Sequence, residues 1–271
     1  MDKSKHWVIY RIHYGIDFLK QSIESVEDWA DKIYICYSLF PWTRDTHVLY
    51  KGVNTTLSNP ENVEDFLNNN FDNNKKIIFL NEEFDTPKHQ FRKLFEKISN
   101  LEGYTPKTCL FIEPDMVFVK GDLHKLHDEL VQENYDNIST RQVELWKNFN
   151  WRIPQRDRVG PTLWNIDKKS DFNTHFGTTS EDGKIVSSSR IVNYNFGFCI
   201  HKHTMLYKHL TALSFSAKVG DSLPCPDWYE DKWLNWSPET MNIEISLNYK
   251  HTIHKAIPYE LDYNFKKQLV N

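Results

Sequence analysis

Two carboxylates, Glu113 and Asp115, stand one residue apart inside "LFIEPDMVFV" (110–119), a run otherwise built from apolar and β-branched side chains. Isolated charge is costly to bury, so such a pair needs a cation or a place at the edge of the core. Pro114 between them removes a backbone donor and ends regular strand pairing, which puts both acids on a turn. Carboxylates at this spacing can approach one hard divalent cation, directly or through water, and such a cation commonly also holds substrate phosphates. The plain alternative is a strand end with two solvated acids.

Two later segments carry further chemistry. "DWYEDKWLNW" (227–236) sets Asp227, Glu230 and Asp231 among three tryptophans and a tyrosine. It reads either as acids beside aromatic faces that suit sugar C–H surfaces, or as an amphipathic helix packing its tryptophans. "YKHTIHKAIP" (249–258) holds His251 and His254, which would face opposite sides of a strand but converge on a turn or helix. "RIPQRDRVG" (152–160) has three arginines, enough for an anionic ligand or for a solvated loop.

The elements that position these residues alternate through the first half. Residues 6–12, 32–38 and 75–81 read as strands, and 15–30, 59–71 and 86–100 as helices. Phe18, Leu19, Ile23, Val26 and Trp29 fall near one helical face. Asn59-Pro60 and Thr86-Pro87 mark helix starts. A fourth strand, "TCLFIEPDMVFV" (108–119), closes the series. Strand–helix alternation implies right-handed crossovers and a mostly parallel sheet, with ligands bound at the carboxyl ends of its strands. Glu113 and Asp115 are therefore expected at that edge. The second half is expected to be irregular, apart from a glycine-containing strand, "RIVNYNFGFCIHK" (190–202). No linker, repeat or low-complexity block divides the chain, so a single domain is expected over 1–271.

Composition agrees with a folded α/β chain: 271 residues, 39% hydrophobic and 26% charged. No apolar run reaches the ~18 residues of a membrane span. The first residues show no secretory h-region, and a cytoplasmic location is the expectation. Net charge of −4 argues against general affinity for nucleic acid. Cys36, Cys109, Cys199 and Cys225 are scattered without a CxxC pair, so neither a disulfide framework nor a zinc site is expected.

The chain resembles GT-A fold glycosyltransferases, in the neighbourhood of the family-2 type. "YGIDFLKQSIESVEDWADKIYICYS" is similar to the opening of that fold. "LFIEPDMVF" is similar to the strand ending in its DxD motif, with Glu113 in place of the first Asp. The resemblance covers about the first 120 residues, and implies a nucleotide-sugar-binding half (1–122) followed by an acceptor-side half (123–271). It implies Asp115 as a direct ligand of Mn²⁺ or Mg²⁺ on the diphosphate of a UDP- or GDP-sugar. Glu113 would stand by the donor ribose or sugar, or reach the metal through water. Arg11, His13 and Tyr14 would meet base and ribose, while Lys88 and Arg92 would reach the diphosphate. A late histidine, His254 before His251, would complete the metal shell. Asp231 or Glu230 would take the proton of an acceptor hydroxyl on a glycan or other hydroxyl acceptor. Gly197 would let backbone approach a sugar, or mark a bulge.

Two other functions compete. A nucleotidyltransferase shares the alternation and the acid-bound metal, but would place a glycine-rich basic loop after the first strand, where "RIHYGIDFLK" has one glycine. A non-enzymatic carbohydrate-binding protein would account for nine tryptophans.

Overall fold

The computed structural model describes residues 5–41, 43–71, 73–83, 90–154, 159–168, 185–219, 225–240, 245 and 255–270. Strand β1 (His6–Ile12) passes through a 3-10 turn (Ile16–Phe18) and helix α1 (Leu19–Val26) to β2 (Lys32–Tyr37). A hairpin, β3 (His47–Tyr50) with β4 (Val53–Thr56), and helix α2 (Val63–Phe71) lead to β5 (Ile77–Asn81). Helix α3 (Gln90–Glu102) returns to β6 (Thr108–Ile112), followed by β7 (Met116–Phe118) and α4 (Asp122–Gln132). Strands β5-β2-β1-β6 are parallel neighbours, as strand–helix alternation requires.

Alternation along these strands assigns their faces. Val8, Tyr10, Ile12, Leu110 and Ile112 join one buried cluster with Leu19, Ile23 and Val26 of α1 and Leu123, Leu126 and Leu130 of α4. Trp7, Ile9, Cys109 and Phe111 join the opposite one, with Phe91, Leu94, Phe95 and Ile98 of α3. A sheet covered on both faces explains why these strands read as nearly continuous apolar runs.

The second half is more regular than its sequence pattern indicates. It carries β8 (Asn137–Trp146), β9 (Asn148–Arg152), β10 (Val159–Asn165), β11 (Ile185–Phe198), helix α5 (Lys202–Val219), a π-turn (Tyr229–Leu234), β12 (Ile257–Pro258) and α6 (Tyr263–Val270). These strands extend the same sheet: β10 pairs antiparallel with β6 and β8, and β11 pairs with both β8 and β7. The result is one α/β sheet with flanking helices. The helix expected over 15–30 is shorter, because Gly15 takes a left-handed φ of +86° and the α-helix stops at Val26. No helix among the described residues is long and apolar enough to cross a membrane.

Candidate functional site

The opening motif does break its strand. Regular pairing ends at Ile112 and resumes at Met116, so Glu113-Pro114-Asp115 lies at the carboxyl end of β6. β1 and β6 run in register as Trp7↔Cys109 and Ile9↔Phe111. One rung further along the same face stand Arg11 and Glu113, and they form an ion pair. The guanidinium also lies 5.0 Å over the Phe91 ring. Arg11 is buried and Glu113 is partly open. The cation that meets Glu113 is thus supplied by the neighbouring strand.

Asp115 sits differently. It is buried, and its Oδ1 has no hydrogen-bond partner among the described residues. Its Oδ2 is 3.9 Å from the Lys208 ammonium on α5. Lys208 Nζ in turn donates to the Gly197 carbonyl at 2.9 Å. Gly197 occupies an irregular stretch of β11, between Asn195 and Phe198, and a Cβ there would lie 2.6 Å from Asp115 Oδ2 and 2.8 Å from Lys208 Nζ. The glycine therefore marks both a bulge and a close approach. Burial pushes the Asp115 carboxyl up to about 6; Lys208 pulls it down, while Glu113 and Glu144 push it further up.

The other expected edge residues gather around this pair. His13 is buried and its Nδ1 donates to the Ser38 carbonyl at 3.0 Å. Its Nε2 is then the acceptor from the Tyr207 hydroxyl at 2.8 Å. Burial holds the His13 imidazole below its usual range. Tyr14 has its phenol pushed up by burial and by the charges of Glu113 and Asp115. Gly15, next along, donates to Glu61 at 2.7 Å, and Glu61 also accepts from Thr204 Oγ1 at 2.9 Å. Glu61, Asp17, His201 and His203 line a groove of about 460 Å³ beside this edge.

Not every expected residue joins them. Arg92 lies on the solvated face of α3, paired with Glu96 one turn on at 3.0 Å. Lys88, His251 and His254 lie outside the described residues. Glu230 accepts from the Tyr50 hydroxyl at 2.7 and 2.6 Å and meets Lys51 Nζ at 3.2 Å, so it ties the β3–β4 hairpin to the π-turn. Burial works to raise its carboxyl, but the Tyr50 and Lys51 bonds outweigh this and hold it below the usual range. Asp231, its neighbour, is exposed. The tryptophans of this segment do not offer open faces to a sugar: Trp228, Trp233 and Trp236 are buried around Trp146. Trp233 Nε1 donates to the Phe198 carbonyl at 3.0 Å.

Sequence reading missed α5 and its contributions. Apolar residues are spread around this helix, so no stripe announces it. A signal existed in its polar residues: Thr204, Tyr207 and Lys208, at i, i+3 and i+4, share a face that meets Glu61, His13 and Asp115.

For a divalent metal the fit is focused on one residue. Asp115 Oδ1, buried and unpartnered, suits a single coordination position, whereas Glu113 is engaged by Arg11. Among the described residues no group of three or more His, Cys, Asp or Glu could hold an ion by itself. All four cysteines are free, as expected from their spacing.

No protein-family model matches the chain, and no curated protein matches it. Among solved structures it is similar to S. aureus TarS 1–349, at 11% identity over 85% of this chain and 71% of that one, with a TM-score of 0.43. The same TarS segment in complex with UDP gives a TM-score of 0.45. GalNAc-T7 with UDP, GalNAc and Mn²⁺ is similar at 8% identity over 80% of this chain and 51% of that one, with a TM-score of 0.47. These likenesses are distant, and the functional reading rests on the residues of the site.

Proposed function

We propose that the chain is a glycosyltransferase that moves a sugar from a nucleotide-sugar donor to an acceptor hydroxyl, with a glycan as the acceptor class. The observation that carries this reading is Asp115: a buried carboxylate with one unpartnered oxygen, at the carboxyl end of a parallel strand, where ligands of α/β sheets bind. Buried polar atoms are nearly always satisfied, so an orphaned carboxylate oxygen at such an edge points to a missing partner.

In this reading Asp115 holds Mn²⁺ or Mg²⁺, which when bound offsets negative charge on the departing nucleoside diphosphate. Arg11 fixes Glu113 so that its carboxylate stays at the ribose side of the donor without taking a place on the ion. His13, locked between Ser38 and Tyr207, presents a neutral imidazole and a rigid floor to the edge. Asp231 is the better proton acceptor for the sugar-accepting hydroxyl, because its carboxylate is exposed whereas Glu230 is committed to Tyr50 and Lys51. His254 stays a proposed ligand, and Arg92 a proposed diphosphate contact that must leave Glu96 to act.

The test is incubation with a panel of UDP- and GDP-sugars, with Mn²⁺ and with EDTA, following release of nucleoside diphosphate. UDP, present in two of the similar structures, is the first nucleotide to try. Metal-stimulated release from at least one donor is expected. Release from none, together with no thermal stabilisation by any nucleotide, would overturn the reading.

A further inference from the structure

Lys208 has no role in the reading above, and its setting is unusual for a lysine. Its ammonium is brought inward to the Gly197 carbonyl and to within 3.9 Å of Asp115 Oδ2, and passes 5.2 Å over the Phe198 ring. The approach requires position 197 to have no Cβ, since that atom would fall 2.8 Å from Nζ. An ammonium held in this way loses rotamer freedom, and the Asp115 carboxylate beside it lies beyond direct hydrogen-bond reach. The side chain remains about a quarter exposed, at 27%. The side chain as a whole is therefore not sealed off from solvent.

We propose that Lys208 is a diphosphate-binding side chain of this site, meeting the phosphates of the nucleotide donor beside Asp115 and any ion that Asp115 holds. The inference rests on the nucleotide-sugar reading of the site. Lys208 is held by one carbonyl and one carboxylate at longer range, so it retains donor capacity for phosphate oxygens, which a lysine meets as a point charge. Its neighbours on α5 reinforce the placement. Thr204 is fixed by Glu61 and Tyr207 by His13, so the helix is tied down one turn before Lys208 and again at the residue preceding it. Lys208 would also help draw the bond electrons of the leaving group away, because the charge that develops on the diphosphate develops next to it.

The experiment measures binding of UDP, GDP and inorganic pyrophosphate by calorimetry, in Mn²⁺ and in EDTA, for the unaltered protein and for Lys208→Met, Lys208→Gln and Lys208→Arg. Thermal melts confirm that each variant is folded, and two neutral variants guard against one that is not. Loss of the ammonium should weaken the bound anion about tenfold, equivalent to ~1.4 kcal/mol. Lys208→Arg, which keeps the charge, should recover most of that affinity, a rescue that a purely structural role would not give. Nucleoside diphosphate bound equally by the unaltered protein and both neutral variants would overturn the assignment and leave the donor reading standing. Pyrophosphate bound through Lys208, with no nucleoside diphosphate bound, would keep the assignment and overturn the donor reading. Binding of neither ligand by the unaltered protein, in Mn²⁺ and in EDTA alike, would overturn both.

Discussion

At the scale of single residues, Asp115 and Glu113 have opposite environments despite their spacing, and the two should respond differently to substitution. Asp115→Asn keeps the shape but removes the charge, and near-complete loss of sugar transfer is expected with the fold intact. Its effect on stability follows from the direction of its shift. The folded-state carboxyl lies at about 6, above the 3.8 of an ordinary aspartate. Its favourable contribution is therefore fully present below ~3.8 and lost as pH rises through ~6, so the ionised form costs stability at neutral pH. Asp115→Asn should raise Tm at pH 7.5, by ~2–4 °C for each kcal/mol relieved, and the gain should vanish toward pH 4. An active variant, or one that melts lower at pH 7.5, would identify the motif as an ordinary strand end. Glu113→Gln should be milder in transfer, because Arg11 retains a hydrogen-bond acceptor. Gly197→Ala should displace the Asp115 carboxylate and the Lys208 ammonium, which its Cβ meets at 2.6 and 2.8 Å, and so lower both Tm and phosphate affinity. A variant with unchanged Tm and unchanged phosphate affinity would show that the approach at Gly197 is not required.

At the scale of elements, the π-turn and α5 divide the labour of the second half. The π-turn packs Tyr229 and Trp233 inward, while Glu230 ties it to Tyr50 and Lys51 of the hairpin. Glu230→Gln should lower Tm, because it weakens a link between two elements, and should change kcat little. Asp231→Asn should lower kcat by ~100-fold or more if Asp231 is the base, with donor affinity nearly constant. Steady-state kinetics and melts on the two amides separate these roles; near-normal turnover in both would place the base elsewhere. The tryptophans here were readable as apolar mass but not as core or platform, since both uses require the same residue type. The hidden character of α5 has a comparable cause. Its helix is covered on several sides, by the hairpin, the π-turn and the sheet edge, so no single stripe needed to be apolar.

At the scale of the whole molecule, acid stability should be governed by buried and half-buried histidines. His6, His13, His127 and His209 are each held below the usual imidazole value of 6.5, with burial the leading cause. The unfolded chain therefore takes up these protons first as pH falls. Their contribution is present above ~6.5 and lost as pH falls through the folded-state values, opposed by the upward shifts of Asp115 and Glu61. Urea midpoints should drop between pH 7.5 and 5.5, and a flat or rising profile would contradict the prediction. What the sequence determined by itself was local: the apolar runs of β1, β2, β5 and β6, the helical faces of α1 and α3, and a proline turn carrying two acids. These follow from contacts between residues a few positions apart, which any reader of the chain can count. Tertiary structure decided which charge meets which. Arg11 reaches Glu113 only because β6 is the neighbour of β1, and Lys208 reaches Asp115 only because α5 crosses the strand edge beside a glycine. Such pairings join residues far apart in the chain, and the free energy that fixes them is the burial of whole faces of the sheet, which no short stretch of sequence contains.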